Sequence, residues 1–178
     1  LKLLMKAVGV ERGYIGIENN KPEAIRLLQE KTADEAGISI VPLKQRYPQG
    51  GEKQLVDAVL HRQVPNPPAI PANVGAVVQN VATSFAVYQA VMKHKPLIER
   101  YVTVTGKEMS APANFLVRMG TPVSQLIEAC GGLPDGDNKL LSGGPMMGKA
   151  LVSTDVPVVK GTNCVTVLSD SDARRAEE

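Results

Sequence analysis

The sequence predicts an α/β layer followed by a smaller α+β domain, and three observations predict it. Residues 14–43 read as strand, helix, strand. A crossover of that length makes the two strands parallel. Four prolines then fall within residues 64–71, a stretch that cannot be helical and reads as an extended crossing segment. Beyond Lys95 and Pro96, β-branched alternation replaces helical spacing, with two strands, a helix and further short strands.

The elements follow in order. Residues 1–8 read as helix, with neither an initiator Met nor a signal-peptide pattern, so a piece of a longer chain is expected. Residues 14–18 form a short apolar strand ending in polar residues. Asn19 and Asn20 cap a helix with Pro22 in its first turn, Ile25, Leu28 and Ala36 inward, and Gly37 at its end. Residues 38–43 are the second strand. A helix runs from Glu52 to His61, residues 76–79 are a strand, and Thr83 to Lys93 is helical with Val81, Phe85, Tyr88 and Met92 on one face. This first part, residues 1–95, suggests a partial Rossmann-like layer.

Residues 99–105 alternate and stop at Gly106; residues 114–119 form the partner strand across a hairpin gap. Thr121 and Pro122 open a helix through Ala129, closed by Gly131 and Gly132. Residues 139–141, 150–152 and 164–168 are short strands. This is the layout of a β-grasp sheet over residues 96–169, with a charged, frayed tail at 170–178.

Composition narrows the function classes. The chain has 178 residues, a hydrophobic fraction of 43% and a net charge of +2 with mixed signs, so nothing favours nucleic acid. Aromatics at 3% give no base-stacking platform. No apolar run approaches the ~20 residues that span a bilayer. Cys130 and Cys164 read as buried free thiols, too few for an iron–sulfur cluster. His61 and His94 sit at helix ends, where cations are favoured.

The chemistry centres on Tyr-Pro-Gln-Gly-Gly-Glu-Lys-Gln-Leu, residues 47–55. Gly50 and Gly51 allow close backbone approach just before a helix start, which is electropositive, so the loop is a candidate phosphate seat. Glu52 is either a first-turn acid or a partner for a nucleotide hydroxyl or flavin edge. Tyr47 contacts a ring system or packs on Pro48. Asn80 is a flavin-ring partner or a strand-end residue, and Thr83 is an N-cap candidate. Residues 143–149 match the phosphate-loop pattern G-x-x-x-x-G-K, but Ala150 stands where Ser or Thr should hold the metal. Residues 150–160 are β-branched where a helix should begin, so the glycines read as turns in a small sheet. Asp135 to Asp137 reads as a turn.

Taken together, residues 18–25, 47–55, 70–75, 78–83, 96–106 and 143–148 resemble the C subunits of Rnf-type electron transport complexes, ion-translocating ferredoxin:NAD oxidoreductases (translocases). The first half is more distantly similar to the flavin subunit of respiratory complex I. The resemblance implies a Rossmann-like FMN- and NADH-binding domain, a soluble-ligand-binding β-grasp domain, and 4Fe-4S clusters in a further module. It implies other subunits of the membrane complex as partners, and a peripheral place on the cytoplasmic face of the bacterial inner membrane. Tyr47, Gly50, Gly51, Glu52 and Lys53 would then line the flavin or nucleotide, with Asn80 and Thr83 nearby. Lys53 stands where the complex I pattern has an acid. The family's main Gly-rich flavin loop would lie before Leu1 and its cluster cysteines after Glu178, so weak or absent flavin retention is expected of this chain. A rival reading makes residues 99–168 a non-redox docking module for a partner subunit or small ligand.

Overall fold

A computed structural model describes residues 1–169; the expected tail at 170–178 lies outside the described residues. The chain divides into two compact units, Leu1–Val91 and Met92–Glu178.

The first unit begins with α1 (Lys2–Val8), stopped by Gly9 in the left-handed region at φ 74°. Strand β1 (Gly13–Glu18) runs parallel to β2 (Ile38–Leu43), with Gly13 opposite Ile38 and Glu18 opposite Leu43. The crossover expected from the sequence is therefore present. Its helix, α2 (Pro22–Lys31), differs from expectation at both ends. Lys21, not Asn19 or Asn20, is its N-cap, without a side-chain cap bond, because the asparagines are used in a turn closed by Lys21 N–H on the Glu18 carbonyl. The helix stops at Lys31 rather than Gly37. The Thr32 hydroxyl donates back to the Leu28 carbonyl at 2.7 Å, the local competition that ends helices at such residues. Ala36 is consequently exposed, while Ile25 and Leu28 are half-buried.

Helix α3 (Glu52–Leu60) packs on β1 where Gly16 leaves room: a Cβ there would lie 2.9 Å from side-chain carbons of both Leu43 and Leu55. His61 caps α3 at φ 54°, and His94 after α4 (Val81–Lys93) has φ 52°, so both histidines do occupy helix ends. A 3-10 turn, Pro71–Val74, follows the proline-rich segment. Residues 76–79 are not a strand, contrary to expectation: β-branched residues need a ladder partner, and none of the described strands pairs with them. The expected face of α4 exists but is uncovered, with Val81 75% and Met92 56% exposed, and α4 buries no residue.

The second unit holds a five-stranded mixed sheet in the order β4-β3-β7-β5-β6. Its strands are β3 (Glu99–Thr105), β4 (Ala113–Arg118), β5 (Asn138–Ser142), β6 (Lys149–Leu151) and β7 (Cys164–Ser169). The β3–β4 hairpin is antiparallel as expected, and β3 pairs with β7 in parallel. Gly106 follows β3 at a close approach to β7 that leaves no room for a side chain: a Cβ there would meet the Val167 carbonyl oxygen. Helix α5 (Val123–Ala129) buries Val123, Leu126 and Ile127 against Val102, Val104, Val165 and Val167. Pro122 is its N-cap rather than its first helical residue. Ser169, the last residue of the expected sheet, is buried at the end of β7 opposite Asn138. Of the thiols only Cys130 is buried; Cys164 is half-buried, with its sulfur 3.4 Å from the Thr166 hydroxyl. No helix among the described residues is long and apolar enough to cross a membrane.

Candidate functional site

The 47–55 loop folds as two overlapping turns. Gln49 N–H donates to the Arg46 carbonyl and Gly51 N–H to the Pro48 carbonyl, each at 2.8 Å. These turns deliver Gly51 as the N-cap of α3 in an extended conformation, φ −63° and ψ 136°. A glycine cap brings no side chain, so no side-chain cap bond closes this helix start. The amides of the first turn are the orphan donors of a helix N-terminus. Gly50 stands open, since a Cβ there would meet nothing within 4 Å. Gly51 is crowded: its Cβ would lie 2.4 Å from Gln54 Oε1 and 3.1 Å from the Pro48 carbonyl oxygen.

Glu52 is exposed in the first turn, where its charge suits the helix dipole. Tyr47 is 66% exposed, so packing on Pro48 does not bury it. Lys53 points its ammonium at the Pro65 carbonyl, 2.7 Å away, and thereby ties α3 to the proline-rich segment. A shallow groove beside α3 is lined by Lys53, Gln54, Asp57, Gln63 and Val64. Nothing in the sequence singled out Gln54, Asp57 or Gln63. Arg62 fixes the other end of the segment, donating to the Val74 carbonyl at 2.8 Å.

The second cluster is built differently from expectation. Asn80 caps α4: its Oδ1 accepts from Ala82 N–H at 2.9 Å, and its carbonyl accepts from Ser84 N–H. Thr83, the expected cap, is instead an exposed residue of the first turn. No hydrogen bond or ion pair among the described residues joins residues 47–53 to residues 80–83. The two clusters lie in one unit but are not fastened together.

In the second unit, residues 143–148 form a tight loop. Gly143 N–H donates to the Cys164 carbonyl, and the Thr166 hydroxyl donates to the Gly143 carbonyl, both at 2.8 Å. Strand β6 comes next, not a helix, so the phosphate-loop match is a set of turns as expected. An open groove of about 510 Å³ runs beside this loop, lined by Thr105, Gly106, Lys107, Pro145, Cys164 and Leu168 among others. Among the described residues no three His, Cys, Asp or Glu side chains gather as a metal site.

Comparison with known proteins places this geometry. A family model described as the Nuo51 FMN-binding domain matches residues 1–89, and one described as the SLBB domain matches residues 101–150. Three C subunits of ion-translocating complexes match almost the whole chain. That of the Na(+)-translocating ferredoxin:NAD(+) oxidoreductase complex of Acetobacterium woodii is 42% identical over 176 residues, covering 99% of this chain and 40% of that protein. That of the proton-translocating ferredoxin:NAD(+) oxidoreductase complex of Clostridium ljungdahlii is 40% identical over 178 residues, covering 100% of this chain and 38% of that protein. That of the ion-translocating oxidoreductase complex of Erwinia tasmaniensis is 39% identical over 176 residues, which make up 99% of this chain and 22% of that protein. The chain thus spans well under half the length of these relatives. It belongs to the Nuo51 FMN-binding family, carries an SLBB domain after that module, and is similar throughout to the C subunits of ion-translocating ferredoxin:NAD oxidoreductase complexes.

Proposed function

We propose that this chain is the central part of a subunit that moves electrons between NAD(H), FMN and iron–sulfur clusters in a membrane-associated ferredoxin:NAD oxidoreductase complex. In this reading the first unit is part of a Rossmann-like layer and the second a β-grasp domain. Other subunits of the complex are its partners, on the cytoplasmic face of the membrane. The observation that carries the reading is the bare start of α3 behind Gly50, inside residues matched by the FMN-binding family.

The residues present fit one part of a flavin nucleotide better than another. Gly51 N–H is already bound to the Pro48 carbonyl, and the Glu52 carboxylate would repel a phosphate placed against it. A carboxylate beside open amides suits a sugar hydroxyl, which donates to the first and accepts from the second. Gly50 would admit the ligand closely, Glu52 would orient a hydroxyl, and Tyr47 would offer a ring face. Lys53 would act by holding α3 against the Pro65 carbonyl. Asn80 and Thr83 would border the pocket from the start of α4. Bound FMN would supply the exchange between two-electron and one-electron chemistry.

Gly50→Val tests this reading. A Cβ at Gly50 meets no protein atom, so the stability of the chain should not change. In the longer subunit, FMN occupancy and NADH-dependent flavin reduction should fall about tenfold, equivalent to ~1.4 kcal/mol of lost binding. Full occupancy and full reduction in that variant would contradict the assignment.

A further inference from the structure

We propose that the outer edge of β4 binds an extended segment of another subunit of the complex, one that carries an apolar side chain and, two residues along, a carboxylate. The proposal rests on the reading of the chain as a subunit of a larger assembly, and it adds a docking edge to the electron-transfer role.

Hydrogen-bond parity identifies the groups on offer. Strand β4 is the last of the five-stranded sheet, with β3 on one side and no described strand on the other. Met119 N–H donates to the Ile98 carbonyl at 3.0 Å and continues the antiparallel register, so Ala113, Phe115 and Val117 turn their backbone groups to β3. The bond from Thr103 N–H to the Asn163 carbonyl at 3.1 Å gives the same parity from the β7 side of β3. Asn114, Leu116 and Arg118 therefore turn theirs away from the sheet. The Arg118 carbonyl accepts from Thr121 N–H, but the amides and carbonyls of Asn114 and Leu116 have no partner among the described residues.

The side chains beside these groups set the chemistry of the occupant. Val102, Val104, Phe115 and Val117 face the core beneath the sheet. On the other face Leu116 lies directly opposite Tyr101, 57% and 61% exposed. Arg118 follows two residues on, on the same face as Leu116. Glu99 stands opposite Arg118 in the ladder, but Lys95 holds its carboxylate, and no hydrogen bond or ion pair joins Arg118 to a described residue. An incoming strand with an apolar residue beside Leu116 and an acid beside Arg118 would make favourable cross-strand pairs at both places. Its main chain would take up the unused amides and carbonyls.

Charge separates this occupant from a second copy of the chain. Strand β4 carries no carboxylate, so β4 laid against β4 would bring none to Arg118. The opposite edge of the sheet is less suited: β6 has three residues and begins with Lys149, and short, charged edges resist pairing. Strand β4 has six residues and no proline.

Amide hydrogen exchange in the purified complex and in the longer subunit alone tests this. Exchange at Asn114 and Leu116 should slow by about 100-fold or more in the complex, while Phe115, already in the ladder, should be protected equally in both. Arg118→Gln should leave the unfolding of the isolated subunit unchanged and weaken its binding to the rest of the complex about tenfold, and Arg118→Lys should restore most of that binding. Free exchange at Asn114 and Leu116 in an assembled complex would overturn the proposal. So would full protection in the longer subunit alone, which would give the edge to the subunit's own chain if its mass is monomeric and to a second copy if dimeric. If no other subunit co-purifies with the longer one, the reading as part of an assembly fails and the proposal with it. An assembled complex with the edge unprotected sinks the proposal alone.

Discussion

The two units contain similar numbers of residues and bury them very differently. The second unit gathers Val102, Val104, Val117, Leu126, Ile127, Val158, Val165 and Val167 into one core between α5 and the five-stranded sheet. In the first unit the buried hydrophobic side chains are Leu43, Val56 and Pro71. Its part of the long helix α4 leaves Val81, Phe85 and Tyr88 exposed, with Phe85 and Tyr88 stacked 6.1 Å apart. Each fully buried aliphatic side chain contributes on the order of 1.5–3 kcal/mol. The second unit thus has the means to hold itself together, and the first is a layer without its cover. The bare start of α3 lies on the uncovered side of this contrast: the candidate binding residues belong to the unit that is less complete.

Core truncations should break the comparison most forcefully if it is wrong. Ile127→Ala removes a 3%-exposed side chain from the second unit and should cost about 2–5 kcal/mol in denaturant unfolding. Val56→Ala in the first unit should cost less, roughly 1–2 kcal/mol, because it deletes two buried carbons where Ile127→Ala deletes three. Two separate transitions are expected by circular dichroism, each shifted only by its own variant. Cys130 reports on the second one: burial pushes its thiol pKa up, so a thiol reagent should reach it only as that unit unfolds. A single shared transition would mean that the units stand or fall together.

A smaller effect sharpens the same contrast. Lys95 bonds Glu99 at 2.5 Å at the head of β3, and that bond, with the lysine charge, holds the Glu99 carboxyl below its ordinary pKa. A group whose folded pKa is lowered contributes stability that is present above its unfolded value and lost as pH falls through the folded one. The second unit's transition should therefore weaken as pH drops through about 4 and below. Lys95→Met should flatten that dependence and leave the first unit's transition untouched.

Much of the fold was legible because periodicity carries it. The β1–β2 crossover and the strands of the second unit follow from alternation and apolar runs that tertiary packing had no reason to override. The misses share a physical cause: each turned on a partner. Residues 76–79 have strand composition but no neighbouring strand among the described residues. Helix α2 ended early on a single hydroxyl bond from Thr32. Asn80 and Thr83 are both good caps three residues apart, and only the position of the first helical turn decides for Asn80. In the candidate site, Gly50, Gly51 and Glu52 lay where sequence put them, at a helix start. The bond from Lys53 to the Pro65 carbonyl was not legible, since no local rule links residues twelve apart.

Hydrogen exchange across the purified 178-residue chain tests the central claim most directly. The account predicts strong protection for the amides of Val104, Val165 and Val167, and exchange at least about 100-fold faster through α4 and the β1–β2 pair. Equal protection in the two units would contradict it, because the first unit would then be as complete as the second.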